Sequence, residues 1–119
     1  MSGVTDPVQL HLIWDDPATG EYYESINSLP ITIGRAVSLN AIVLNSKQVS
    51  RQHARLEDVN GKIIIVDQDS TNGILFNNRR IKCGFLHDGD TFQIPPFTFT
   101  VTKMKAEQEL LPRKPLATG

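Results

Sequence analysis

Hydrophobic and polar residues alternate along this chain in short stretches, with turn residues between them. Residues 29–33 (LPITI) place Ile31 and Ile33 on one face and Thr32 on the other, and residues 97–101 (FTFTV) turn Phe97, Phe99 and Val101 inward. A period of two marks half-buried β-strands. Further strands are expected at 9–14, 21–26, 41–44, 53–59, 74–77, 79–82 and 90–94. Residues 62–67 (KIIIVD) read as a strand buried on both faces. Asp15, Asp16, Pro17, Thr19 and Gly20 form one turn cluster, and Asn27-Ser28 makes a tight connection. Asn60-Gly61 is a strong hairpin signal, Asn77-Asn78 a second tight turn, and His87-Asp88-Gly89 a third. About ten strands at this spacing, with no convincing internal helix, predict an all-β fold: an antiparallel β-sandwich of about ten to eleven short strands. Residues 1–8 are expected to be an N-terminal extension and 9–102 the sandwich domain. Residues 103–119 are expected to be a C-terminal tail or linker, which suggests a longer parent protein. Residues 103–111 have helical potential, but Pro112 and Pro115 end it.

Composition narrows the functional classes. The 119 residues suffice for one domain with its own core. No apolar run approaches the ~20 residues that span a bilayer, and no signal-peptide pattern opens the chain. The lone Cys83 cannot form an internal disulfide and reads as a packing residue, so a cytoplasmic or nuclear setting is expected. The net charge of −1 argues against non-specific nucleic-acid binding. Its distribution is uneven. Residues 1–34 carry Asp6, Asp15, Asp16, Glu21 and Glu24 and no Lys or Arg, a net of −5, whereas 35–82 reach +4. That central excess suits a small anionic group.

Polar residues in the gaps between strands carry the candidate chemistry. They are Gly34-Arg35, Ser50-Arg51-Gln52-His53 and Ser70-Thr71-Asn72-Gly73. Loops of a sandwich cluster at its two ends, so these three can meet. Arg35 would then offer a planar cationic fork, Ser50 and Thr71 hydroxyl donors, and Asn72 both a donor and an acceptor. Three other arrangements compete. Ser50 and His53, with Asp67 or Asp69, contain the residue types of a hydrolytic triad, but no nucleophile elbow or oxyanion loop accompanies them. Three scattered histidines and one cysteine lack metal-ligand spacing, and no cofactor is implied. A nucleic-acid barrel would need exposed aromatics among basic residues, and the aromatics here read as inward-facing.

GR, then SRQHA, then STNG, in that order between β-runs, resemble the forkhead-associated (FHA) domain over about residues 10–102. The resemblance implies a sandwich that binds phosphothreonine peptides through loops at one end. It assigns Arg35, Ser50 and Thr71 to the phosphate and Asn72 to the peptide main chain. Arg51 would touch peptide or phosphate, while Gly34, His53 and Gly73 would shape the loops. The partner implied is a protein phosphorylated by a serine/threonine kinase, and the alternative is an interaction module independent of phosphate. The loop before Ser50 would choose the residue three positions after the phosphothreonine. There Gln48 is neutral, and a strand-like phase would turn Lys47 away, so no strong preference for Asp is expected.

Overall fold

A computed structural model describes residues 8–16 and 18–105 of the chain. Eleven strands run β1 (Val8–Asp16), β2 (Gly20–Ile26), β3 (Ile31–Gly34), β4 (Ile42–Val43), β5 (Ala54–Val59), β6 (Lys62–Asp67), β7 (Ile74–Phe76), β8 (Arg79–Ile81), β9 (Cys83–Leu86), β10 (Thr91–Ile94) and β11 (Phe97–Lys105). No helix occurs among the described residues. One sheet has the order β2-β1-β11-β10-β7-β8 and the other β4-β3-β5-β6-β9. The pairs are antiparallel except β3–β4, which is parallel.

The inward-facing residues of both sheets form one core. Leu10, Leu12, Ile33, Leu56, Ile63, Ile65, Ile74, Phe92, Phe97 and Phe99 are all buried within it. Phe92 stacks on Phe99 with ring centroids 4.9 Å apart, and Trp14 packs on Phe99 at 5.1 Å. The expected hairpin turns are present. Asn60 and Gly61 have φ of 55° and 84°, and Asn77 and Asn78 have 54° and 64°. Two successive positive φ values match the right-handed twist of the flanking strands.

Several details differ from the sequence reading. Cys83 is exposed, not packed. It lies on the edge strand β9, which the periodicity missed because Cys83-Gly84 dilutes a run only four residues long. Pairing of Val66 with Cys83 and Ile64 with Phe85 turns both β9 side chains to the outer face. The strand at 62–67 is therefore fully buried only at Ile63 and Ile65, while Ile64 and Val66 are half-buried. The aromatics are not all inward: Tyr22, Tyr23 and Phe85 are exposed. Tyr23 shares a 2.6 Å hydrogen bond with His11, and Phe85 lies 5.8 Å from the Lys62 ammonium. β11 continues to Lys105, past the expected end at Val101. The N-terminal extension up to residue 7, and residues 106–119 of the expected tail, lie outside the described residues.

Topology decides which loops share an end. β3 and β4 are parallel, so both finish at the same end. β5 opposes β3 and starts there, and β6 opposes β5 and finishes there. The β6–β7 loop lies at that end too. In the other sheet, β7, β10, β11 and β1 alternate in direction, which brings the β1–β2 turn to it as well. The three polar motifs thus converge.

Candidate functional site

The three loops enclose an open cavity of about 300 Å³, lined by Arg35, Lys47, Gln48, Val49, Ser50, Arg51, Thr71 and Asn72. Backbone bonds hold the first two loops together. Arg35 N–H donates to Ser50 O at 3.0 Å and Ala36 N–H to Arg51 O at 3.2 Å. Gly34 is buried against this seam, where a Cβ would collide with the Arg51 carbonyl. Asn40 closes the seam by donating from Nδ2 to the carbonyls of Ala36 and Arg51 at 2.8 and 2.7 Å.

His53 joins the second loop to the third. It has no exposed surface, and its backbone continues the ladder by donating to Ile33 O at 2.8 Å. Its Nδ1 accepts from Ser50 N–H at 3.0 Å, and its Nε2 lies 2.7 Å from Gly73 O. An amide can only donate and a carbonyl only accept, so the ring is the neutral tautomer with its proton on Nε2. Both nitrogens are occupied by backbone. The imidazole therefore has no free acceptor for the proton of Ser50 Oγ. The carboxylate of Asp67 accepts Ser70 N–H at 3.0 Å rather than orienting the ring. Ser50 and His53 are neighbours without the nucleophile–base contact that hydrolysis requires.

The third loop is shaped by its own turn. Ser70 Oγ accepts Gly73 N–H at 2.9 Å, and Gly73 adopts φ of 80°, a conformation open to glycine at little cost. Thr71 N–H donates to Ser50 Oγ at 3.0 Å, and Asn72 Nδ2 donates to Gln48 O at 2.7 Å. Asn72 thus spends one amide proton on the neighbouring loop and keeps its carbonyl and second proton. Arg35 spends only Nε, which donates to Val49 O at 3.0 Å. Its four terminal N–H groups and the Thr71 hydroxyl have no partner among the described residues. Fixed backbone carrying unpaired cationic and hydroxyl donors is suited to binding an anion with several acceptor oxygens.

The cavity brings together Arg35, Ser50, Arg51, Thr71 and Asn72, with Lys47 and Gln48 on its wall, and places Gly34, His53 and Gly73 behind them. Lys47 is not turned away. Residues 46–49 form a turn, closed by Val49 N–H donating to Ser46 O at 3.1 Å, so the strand-phase argument does not apply. Arg80 was missed entirely. From β8 it donates to the carbonyls of Ser70 and Thr71 at 3.2 and 3.3 Å and lies across Gly73. Its neighbour Arg79 shows how little the sequence distinguishes it; only the register Leu75↔Arg80 brings it to the loop.

Residues 31–95 match the family described as FHA domain. The chain is 37% identical over 86 residues to the transcriptional regulatory protein EmbR of Mycobacterium tuberculosis and Mycobacterium bovis, covering 71% of this chain. It spans only 22% of the length of those relatives. Among solved structures, M. tuberculosis EmbR in complex with a low-affinity phosphopeptide superposes with a TM-score of 0.67 at 33% identity, over 77% of this chain and 24% of that one. A structure from work on phosphothreonine-dependent FHA domain interactions gives 0.70 at 26% identity, over 79% and 95%. The FHA domain of CT664 from Chlamydia trachomatis gives 0.71 at 23% identity, over 79% and 96%, a likeness of fold alone.

Proposed function

The chain belongs to the FHA domain family, and on that premise we propose that it binds a phosphothreonine-containing segment of a partner protein. The observation that carries this reading is the single cavity joining the free end of Arg35 to Ser50, Thr71 and Asn72. A phosphate ester brings about −1.5 to −2 charge and three strong acceptor oxygens at neutral pH. Arg35 meets two of those oxygens through its terminal N–H groups. Ser50, whose oxygen already accepts Thr71 N–H, donates its proton to the ester, as does Thr71. Asn72 holds the main chain of the segment through its remaining amide proton and carbonyl. Arg51, Lys47 and Gln48 meet the flanking residues. An unmodified threonine hydroxyl offers none of this charge, so the kinase that modifies the partner sets the affinity.

The proposed function is one of binding, supported by His53, whose two ring nitrogens are both engaged by backbone rather than by Ser50 Oγ. The positive charge that meets the ester comes from Arg35, with Arg51 and Lys47 beside it in the cavity. The exposed thiol of Cys83 fits an intracellular setting, where thiols stay reduced. The test is calorimetry with one peptide in two forms. The phosphothreonine form should bind at least about tenfold more tightly, a bar of only ~1.4 kcal/mol. Equal affinity for both forms would leave a phosphate-independent interaction module instead.

A further inference from the structure

The acidic N-terminal third is not used by the phosphate site, yet its β1–β2 turn lies at the same end of the sandwich. There a second cavity of about 250 Å³ opens, lined by Trp14, Asp16, Thr19, Tyr22, Val43 and Asn45. β2 and β4 are edge strands of their respective sheets, so no further strand among the described residues closes this side. Tyr22 and Val43 are accordingly 45% and 39% exposed. The Tyr22 ring stacks on Trp14 at 5.7 Å, and Thr19 Oγ–H donates to the Tyr22 hydroxyl at 3.0 Å, which fixes the aromatic wall. Asp16 supplies the carboxylate. One oxygen accepts Ala18 N–H at 2.8 Å, and the other has no partner among the described residues.

We propose that this cavity takes a lysine or arginine side chain of the same phosphorylated segment, at a position other than the one read by Lys47 and Gln48. The inference rests on the phosphothreonine reading above. Two observations carry it. The first is continuity. Asn45 lines this cavity and Lys47 the phosphate cavity, and two residues of chain span at most about 7 Å. A segment leaving the phosphate across that ridge reaches the second cavity within a few residues. The second is complementarity. An apolar and aromatic wall with a carboxylate at its rim matches a long aliphatic stem ending in a cation. Asp15 and Glu21, cross-strand partners next to the turn, deepen the negative field, and no Lys or Arg occurs in residues 1–34 to oppose it. The binding end is thus bipolar, cationic around Arg35 and anionic around Asp16. A ligand carrying a phosphate and a nearby basic residue is held in one direction only.

The experiment is a phosphothreonine peptide library scanned one position at a time against the full chain. One position several residues from the phosphothreonine should favour Lys or Arg by about fivefold over Ala. Asp16→Asn keeps the acceptor for Ala18 N–H and should erase that preference. It should not change affinity for a short phosphopeptide lacking the basic residue. Tyr22→Leu should reduce the preference and serves as the independent variant. No basic preference anywhere, an aliphatic preference instead, or a preference surviving both substitutions overturns the proposal while phosphate-dependent binding stands. Loss of all phosphate dependence overturns both readings.

Discussion

Replacing His53 with alanine should unfold the binding end before it weakens any contact with ligand. The side chain has no exposed surface and makes two hydrogen bonds, accepting Ser50 N–H at 3.0 Å and donating to Gly73 O at 2.7 Å. Alanine leaves both backbone groups without their partner, at about 1–3 kcal/mol each. It also leaves a void the size of an imidazole between Ser50 and Gly73, which adds a cavity cost of similar order. The sum is about 3–9 kcal/mol, a large share of the ~5–15 kcal/mol that holds a domain together. In a domain of this size each kcal/mol lowers Tm by roughly 4–8 °C, so a fall of about 15–20 °C is a conservative expectation. Calorimetric melting and urea titration measure it. His53→Asn separates the two bonds. Its amide oxygen can occupy the place of Nδ1 and accept Ser50 N–H, leaving only Gly73 O unpaired, so it should recover about half the loss. A His53→Ala protein that melts within about 2 °C of the parent would refute the clasp, because no relaxation re-pairs both groups so cheaply.

The remaining expectations concern the residues facing the cavity and those that hold its third loop. Arg35→Ala removes one hydrogen bond from an exposed side chain, so stability should change by less than about 1 kcal/mol. Phosphopeptide affinity should nonetheless fall by about 2–5 kcal/mol, beyond the range of ordinary titration calorimetry. Gly73→Ala adds a Cβ at φ of 80° and pushes it into Arg80. It should cost about 1–3 kcal/mol of stability in a thermal melt, and adding Arg80→Ala should return only the part due to collision. Arg80→Ala alone should weaken phosphopeptide binding about fivefold with little change in Tm, and Arg80→Lys should restore part of it. Because Lys47 lines the cavity, a library scanned three positions after the phosphothreonine should favour Asp or Glu over Ala, and Lys47→Ala should abolish that preference.

The sequence was most legible where one side chain or one dipeptide dictates geometry. Asn60-Gly61 and Asn77-Asn78 could be placed as turns because few residues accept positive φ. Phe97, Phe99 and Val101 could be placed inside because a twofold period leaves no other choice. The cavity residues could be named because each loop motif sits beside a strand whose period could be read. Legibility failed where a neighbouring strand decides. Cys83 looked like core by its residue type, but the register with Val66 turns it outward on an edge. Lys47 was assigned a direction from strand alternation, in a segment that folds as a turn around Ser46 and Val49. Arg80 carries no local signal at all. Its role exists only because the β7–β8 hairpin folds back over Ser70 and Thr71.

The hydrogen bonds of the binding end follow a division that explains why its residue types differ so sharply. Groups whose partners are internal mostly bond to backbone. Gly34 gives way to the Arg51 carbonyl, Ser70 closes its own turn, and His53 and Asn40 each join two backbone groups. These bonds are present before any ligand arrives, so the loops lose little conformational freedom on binding. The groups left facing the cavity are the long cations and the hydroxyls, which water satisfies while the site is empty. Exchanging that water for neutral hydroxyl or amide partners gains almost nothing, since each bond replaces one of similar strength. Exchanging it for a doubly charged ester gains charge-assisted bonds on every donor at once. On the proposed phosphothreonine reading, selectivity for the modified state would come from what the loops leave unpaired, and the rigidity behind it from the internally bonded His53, Asn40 and Ser70.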